Sequence, residues 1–177
     1  MPAVSKTKKV AMMGVMAALS TVLTVLGTVI SVNTVFFTAA AAFLAGVMLI
    51  RYGKGAGVLF YVVCAVLDFF LNPDKLHVLL YLGLAGYIVL SELFYSLLRV
   101  EDGKKKEWIH RGIRFGLFAV IYLPLALFLP RLLVNEEILH ETWLLPALLA
   151  AGVAGWVIYD IAYGAFKKMF AGYIKVV

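Results

Sequence analysis

Three acidic side chains, Asp68, Glu92 and Asp160, lie inside long apolar runs of the sequence. An acid placed in hydrocarbon is costly, so it is kept where it binds a ligand, relays a proton or pairs with a cation. Depth separates these uses. With about 1.5 Å of rise per residue, Asp68 falls roughly 5 Å from the end of its run. On the same scale, Glu92 lies about 24 Å from Leu76 and Asp160 about 26 Å from Trp143. None sits at mid-depth, where a proton relay or central ion site would need one. Glu92 and Asp160 are therefore expected to pair with arginines near their ends of the runs, such as Arg51, Arg99 or Arg114. Asp68 is followed by Asn72, Pro73 and Asp74, a place where a polar ligand could enter.

A second group of polar and aromatic residues falls at the same ends of the runs as Asp68: Asn33, Thr34, Thr38, His77, Tyr81, Asn135, His140 and Trp143. A shallow pocket could draw on them, since binding sites are largely apolar walls with a few placed polar groups. Taken singly, each also fits an ordinary loop or interface position, and Trp143 fits the aromatic belt of a membrane protein. Nucleotide chemistry is not indicated: Gly53-Lys54-Gly55 is too short for a phosphate-binding loop, and no H-E-x-x-H occurs. No G-x-S-x-G nucleophile turn occurs either. Glu137 and His140 have the E-x-x-H spacing of a carboxylate-bridged metal site, but a single copy lacks the second motif and the two further acids. The single cysteine, Cys64, offers neither a disulfide framework nor a thiolate metal site. The expectation is a protein that is not an enzyme and carries no metal or other cofactor.

The elements that position these residues follow from composition. Of 177 residues, 64% are hydrophobic and 15% charged, with a mean hydropathy of +0.99. A soluble domain is about half apolar and about a quarter charged, so the solvent here is lipid. The net charge of +6 does not indicate nucleic acid, because the basic residues sit in short clusters between apolar runs. Six segments approach the roughly 20 residues needed to span a bilayer: 10–30, 35–50, 55–71, 76–98, 112–134 and 143–166. None alternates polar and apolar residues as a barrel strand would. The first run, preceded by Lys6, Lys8 and Lys9, is longer than the core of a signal peptide and is read as a retained helix.

Of the 16 lysines and arginines, all but Lys75 and Arg131 fall on one side of a six-span arrangement. By the positive-inside rule that side, with both termini, is cytoplasmic, and Asp74, Glu136, Glu137 and Glu141 lie outside. The longest loop, 99–114, carries much of the basic charge and is expected to hold an interfacial turn around Trp108. Its charges set topology and offer a patch for anionic headgroups. No internal repeat or low-complexity linker is found, so 1–177 reads as a single six-helix, all-α transmembrane domain.

The first segment, VAMMGVMAALS, places Gly14 and Ala18, and Ala17 and Thr21, four residues apart on a helix face. Such small-residue faces let helices approach closely in membranes. A basic N-terminus, a first helix reading AMMGVMAAL, six spans in 177 residues and the stretch LIRYGKGAGVLFYVVCAVLDFFL together resemble the S component of energy-coupling factor (ECF) transporters. The resemblance implies a substrate-binding membrane subunit that captures a vitamin or related micronutrient from outside. A separate membrane coupling protein and two cytoplasmic ATPases would then drive uptake, which accords with the missing nucleotide loop. It further implies that Gly14, Ala17 and Ala18 dock the coupling protein. Substrate would sit in the outer half, near Asn33, Thr34, Asp68, Asn72, His77, Tyr81, Asn135 and Trp143, under the 31–34 loop. The family's usual Ala-x-x-x-Ala pair is Gly14 and Ala18 here. A prokaryotic plasma membrane is the implied location. The alternative is a non-transporting scaffold resembling the rod-shape family MreD, in which the outer polar residues would scatter over a partner surface rather than converge.

Overall fold

A computed structural model describes residues 6–30, 34–98, 103–128 and 143–174. Among these residues the chain forms six helices and no strand: α1 (Lys6–Val29), α2 (Thr34–Tyr52), α3 (Lys54–Leu71), α4 (Lys75–Leu97), α5 (Gly103–Phe128) and α6 (Leu144–Ile174). All six are long and apolar enough to cross a membrane, so the expected number of spans is met.

The boundaries differ from those read in the sequence. α1 begins at Lys6, α5 at Gly103 and α6 continues to Ile174, so the expected loop over 99–114 is helical from Gly103 onward. Hydropathy marks where the lipid ends, whereas the helix ends where backbone hydrogen bonding ends. Lysine, arginine and glutamate are good helix formers, and their long stems carry charge outward from a helix that continues. Trp108 is accordingly a helical residue, 73% exposed, with the Arg111 guanidinium 5.6 Å from its ring centroid.

Two compact units are distinguished, residues 1–93 and 94–177. In the first, α1 is amphipathic in the sense opposite to a soluble helix. Ala17, Ser20, Thr21, Thr24 and Gly27, spaced by three and four residues, are buried, while Val15, Leu19, Val22, Leu26 and Val29 face outward. Hydrocarbon accepts leucine and valine, so the hydroxyls go inside, where neighbouring helices can hydrogen-bond them. α2 packs against both α1 and α3 through a small-residue face that includes the fully buried Ala41, Ala42 and Ala45. Ser20 donates to the Ala41 carbonyl at 3.4 Å.

One residue, Gly53, joins α2 to α3 with φ of 90°, a left-handed geometry that glycine adopts without a Cβ clash. One turn into α3, Gly57 lies directly on the backbone and side chain of Leu49, so that any Cβ there would collide. α4 starts on Asp74, whose Oδ1 accepts the Leu76 N–H at 2.9 Å, an N-cap bond. Tyr61 of α3 donates to the Leu82 carbonyl at 3.2 Å and stacks on Tyr81, 6.2 Å between centroids.

In the second unit, α5 and α6 pack through aromatic rings. Phe118 stacks on Tyr122 at 5.0 Å and on Trp156 at 5.6 Å. The Tyr122 hydroxyl donates to the Leu148 carbonyl at 2.7 Å, its ring lying where a side chain at residue 152 would be. Pro124 interrupts the hydrogen-bond ladder of α5, which membrane helices tolerate when neighbours satisfy the freed carbonyl. Tyr95 meets the His110 ring at a tilt, 4.7 Å between centroids, with Lys106 Nζ 4.6 Å from the Tyr95 centroid.

Candidate functional site: a buried polar ladder

The first unit contains a ladder of polar side chains between α1 and α3. Both helices carry polar residues every fourth position: Ser20, Thr24 and Thr28 on one, Cys64, Asp68 and Asn72 on the other. Four residues is close to one helical turn, so each set lines one face. The two sets meet at a constant offset of 44 residues. Thr24 donates to Asp68 Oδ1 at 2.6 Å, and Thr28 donates to Asn72 Oδ1 at 2.8 Å. Ser20 lies beside Cys64. Tyr81, from α4, brings its hydroxyl near Ser20 and Cys64 at the inner rung.

Burial is complete at the centre: Asp68 and Tyr81 are 0% exposed, Asn72 1% and Thr21 5%. Four buried polar atoms of this unit have no hydrogen-bond partner: Thr21 Oγ1, Asp68 Oδ2, Asn72 Nδ2 and the Tyr81 hydroxyl, the last three on ladder residues. Buried polar groups are nearly always satisfied, and a group left unmade costs about 1–3 kcal/mol. Four in one unit therefore mark a place suited to something polar. Among the described residues, no lysine, arginine or histidine pairs with Asp68.

The rim of the ladder is built by local turns. Asn72 ends α3, its N–H bonded to the Asp68 carbonyl at 2.8 Å, and its Oδ1 also accepts the Asp74 N–H at 3.3 Å. Lys75 Nζ caps the same end, donating to the Asn72 carbonyl at 2.9 Å. Thr34 closes the approach of α1 to α2, its hydroxyl donating to the Gly27 carbonyl at 2.7 Å.

Of the residues singled out in the sequence, Asp68, Asn72 and Tyr81 belong to this ladder. Thr34 has a structural partner in Gly27, and Thr38 is buried and bonds back to the Thr34 carbonyl at 2.8 Å. His77 pairs with Asp74 at 2.7 Å within the first turn of α4. Trp143 stands at the start of α6 in the other unit, 55% exposed. Asn33, Asn135 and His140 lie outside the described residues, as do Glu137 and Arg131. The pairing expected of Asp160 is made with Arg114. Glu92 is buried on α4.

The small-residue face of α1 divides. Gly14 and Ala18 are exposed with Val15 and Leu19, and nothing comes within 4 Å of the place a Cβ would take on Gly14. Ala17, expected beside them on a docking face, is buried in the unit at 6% exposure, because it shares the inward stripe of Ser20, Thr21 and Thr24.

Sequence reasoning missed Ser20, Thr24 and Thr28, and read Thr21 only as part of a small-residue packing face. The signal was present: hydroxyl residues at three- and four-residue spacing in an apolar run, matched by the Cys64, Asp68 and Asn72 series. A separate groove of about 320 Å³ lies between α3 and α4, lined by Tyr61, Ala65, Phe69, Phe70, Val78 and Leu82 among others. Its walls are apolar, and it lacks the convergent polar groups that orient a solute.

Fold and ladder together describe an all-helical, multi-pass membrane protein with a polar interior in its N-terminal half. No family model, curated protein or solved structure matches the chain.

Proposed function

We propose that this protein is a solute-capturing membrane subunit of the ECF S-component type. In this reading both termini face the cytoplasm of a prokaryotic cell, and the Asn72–Lys75 end of the first unit faces outward. It takes up a vitamin-sized micronutrient and hands the energetics to a membrane coupling protein and two ATPases. The observation that carries the proposal is the set of buried, unpartnered polar atoms that Asp68, Asn72 and Tyr81 bring to the ladder, at the end of the unit that is poor in basic residues. Asn72 Nδ2 and the Tyr81 hydroxyl supply donors and Asp68 Oδ2 an acceptor, a combination that orients a heteroatom-rich solute. The exposed Gly14–Ala18 face of α1 supports a docking role, since small residues let a partner helix approach closely.

The test is mass spectrometry of small molecules released from the detergent-purified protein, repeated after incubation with a panel of vitamins. A stoichiometric compound that is lost in Asp68→Asn supports capture at the ladder. A protein that stays empty after every incubation sinks the capture reading and favours a scaffold. Docking is tested separately. Gly14→Leu or Ala18→Leu is expected to abolish uptake in cells while leaving solute binding intact, and undiminished uptake in both variants would remove the docking assignment.

A further inference from the structure

The groove between α3 and α4 follows the antiparallel run of these two helices. Tyr61 meets Leu82 at one end, through its bond to the Leu82 carbonyl, and the lining continues past Ala65 and Val78 to Phe69 and Phe70. Its volume is about 320 Å³. Along α3 it extends over residues 61–69, two turns of helix or about 12 Å. Val62, Val66, Phe69 and Phe70 stand exposed along it, so in a membrane this recess opens to hydrocarbon. A partner helix fits it poorly. Close helix approach uses small residues, and Ala65 is the one small residue in a lining of large side chains. A flexible hydrocarbon chain can lie between those side chains.

Where the 72–74 connection joins the two helices, the groove meets a positioned positive charge. Lys75, the exposed first residue of α4, holds its Nζ 5.2 Å from the centroid of the Phe69 ring, part of the groove wall. Two carbonyls fix the ammonium there, that of Phe69 at 2.5 Å and that of Asn72 at 2.9 Å. An ammonium has three donors, so one is left over. Among the described residues no carboxylate forms an ion pair with Lys75. The neighbouring Asp74 carboxylate is engaged by His77 at 2.7 Å and by the Leu76 N–H at 2.9 Å. An apolar channel ending at a held, unneutralised cation complements a molecule with a hydrocarbon tail and an anionic head.

We propose that the α3–α4 groove binds one anionic phospholipid, an acyl chain lying along residues 61–69 and the phosphate meeting Lys75. The site is separate from the polar ladder and does not depend on solute capture.

The experiment is native mass spectrometry of the full-length protein in detergent, titrated with phosphatidylglycerol or with phosphatidylcholine of the same acyl chains. The choline head carries its own cation beside the phosphate, so Lys75 favours phosphatidylglycerol. One phosphatidylglycerol per chain is expected, bound about fivefold more tightly than phosphatidylcholine. Lys75→Gln is expected to remove that preference and Lys75→Arg to keep it. Lys168→Gln, the loss of an equal charge at another exposed position, is expected to leave it unchanged. Ala65→Leu fills the groove and is expected to weaken binding of both lipids. Should Ala65→Leu not fold, the lysine variants decide alone. Equal affinities of the parent for the two lipids, or a preference that survives in Lys75→Gln, would overturn the proposal and assign binding to the general lipid shell. A folded Ala65→Leu that binds lipid as the parent does would overturn it too, and a lipid-free dimer would give the groove to a second copy of the chain instead.

Discussion

Thr24 and Asp68, 44 residues apart on α1 and α3, are joined by a hydroxyl–carboxylate hydrogen bond of 2.6 Å in a position closed to solvent. One helical turn away, Thr28 and Asn72 repeat the contact at 2.8 Å. The shared offset means that α1 and α3 run side by side in matched register. A register slip of one residue on either helix would turn the polar series towards lipid, so the ladder also fixes how these helices align.

Removing the Thr24 hydroxyl tests that role. Thr24→Val keeps the shape and leaves Asp68 Oδ1 without its donor, with an expected loss of about 1–2 kcal/mol. Thr24→Ser keeps the donor and is expected to lose less than half as much. Denaturation of the detergent-solubilised variants by SDS titration measures both. Equal losses would assign the effect to packing of the methyl group instead.

Gly57 and Gly14 provide a contrast between two glycines of neighbouring helices. Gly57→Ala forces a Cβ into Leu49 and is expected to destabilise by about 1–3 kcal/mol, the range of overpacking. Gly14→Ala meets open space and is expected to leave stability within about 0.5 kcal/mol, as surface changes do. Thermal melts of the two variants side by side decide the matter.

The Arg114–Asp160 pair joins α5 to α6 with both side chains largely covered, 18% and 25% exposed. Asp160→Asn and Arg114→Met are each expected to destabilise, because each removes one charge of a partly buried pair. The double variant is expected to be more stable than the sum of the single losses predicts, with a coupling of about 1–3 kcal/mol. A double-mutant cycle that closes additively would show that the two charges act independently.

Tyr122 holds the same two helices farther along. Tyr122→Phe keeps the ring over Gly152 and loses only the bond to the Leu148 carbonyl, an expected cost of about 0.5–1.5 kcal/mol. Gly152→Ala drives a methyl into that ring and is expected to cost more. If Tyr122→Phe proves the more damaging of the two, the hydroxyl matters more than the close approach.

The number of spans was readable because the bilayer imposes a length on every crossing segment. Helix ends were less so. The charged turns at Lys6, Gly103–Lys106 and Lys167 look like loop to a hydropathy scale, yet they are helical. Backbone hydrogen bonding continues past the point where apolar side chains stop. Asp68 stood out because an acid in an apolar run is conspicuous. Its partner Thr24 did not, since threonine is unremarkable in any membrane helix and only its pairing across 44 residues gives it a role.

By itself the sequence determined that lipid is the solvent, where six helices lie, and that Asp68 stands near the end of its span. Only the tertiary structure decided which face of each helix turns inward. Ala17 and Ala18 are adjacent and identical, yet one is buried and the other exposed. In water, hydrophobicity separates the inner face from the outer. In a bilayer both faces meet apolar surroundings, so the choice passes to shape and to hydrogen bonds between helices, which a single segment cannot express.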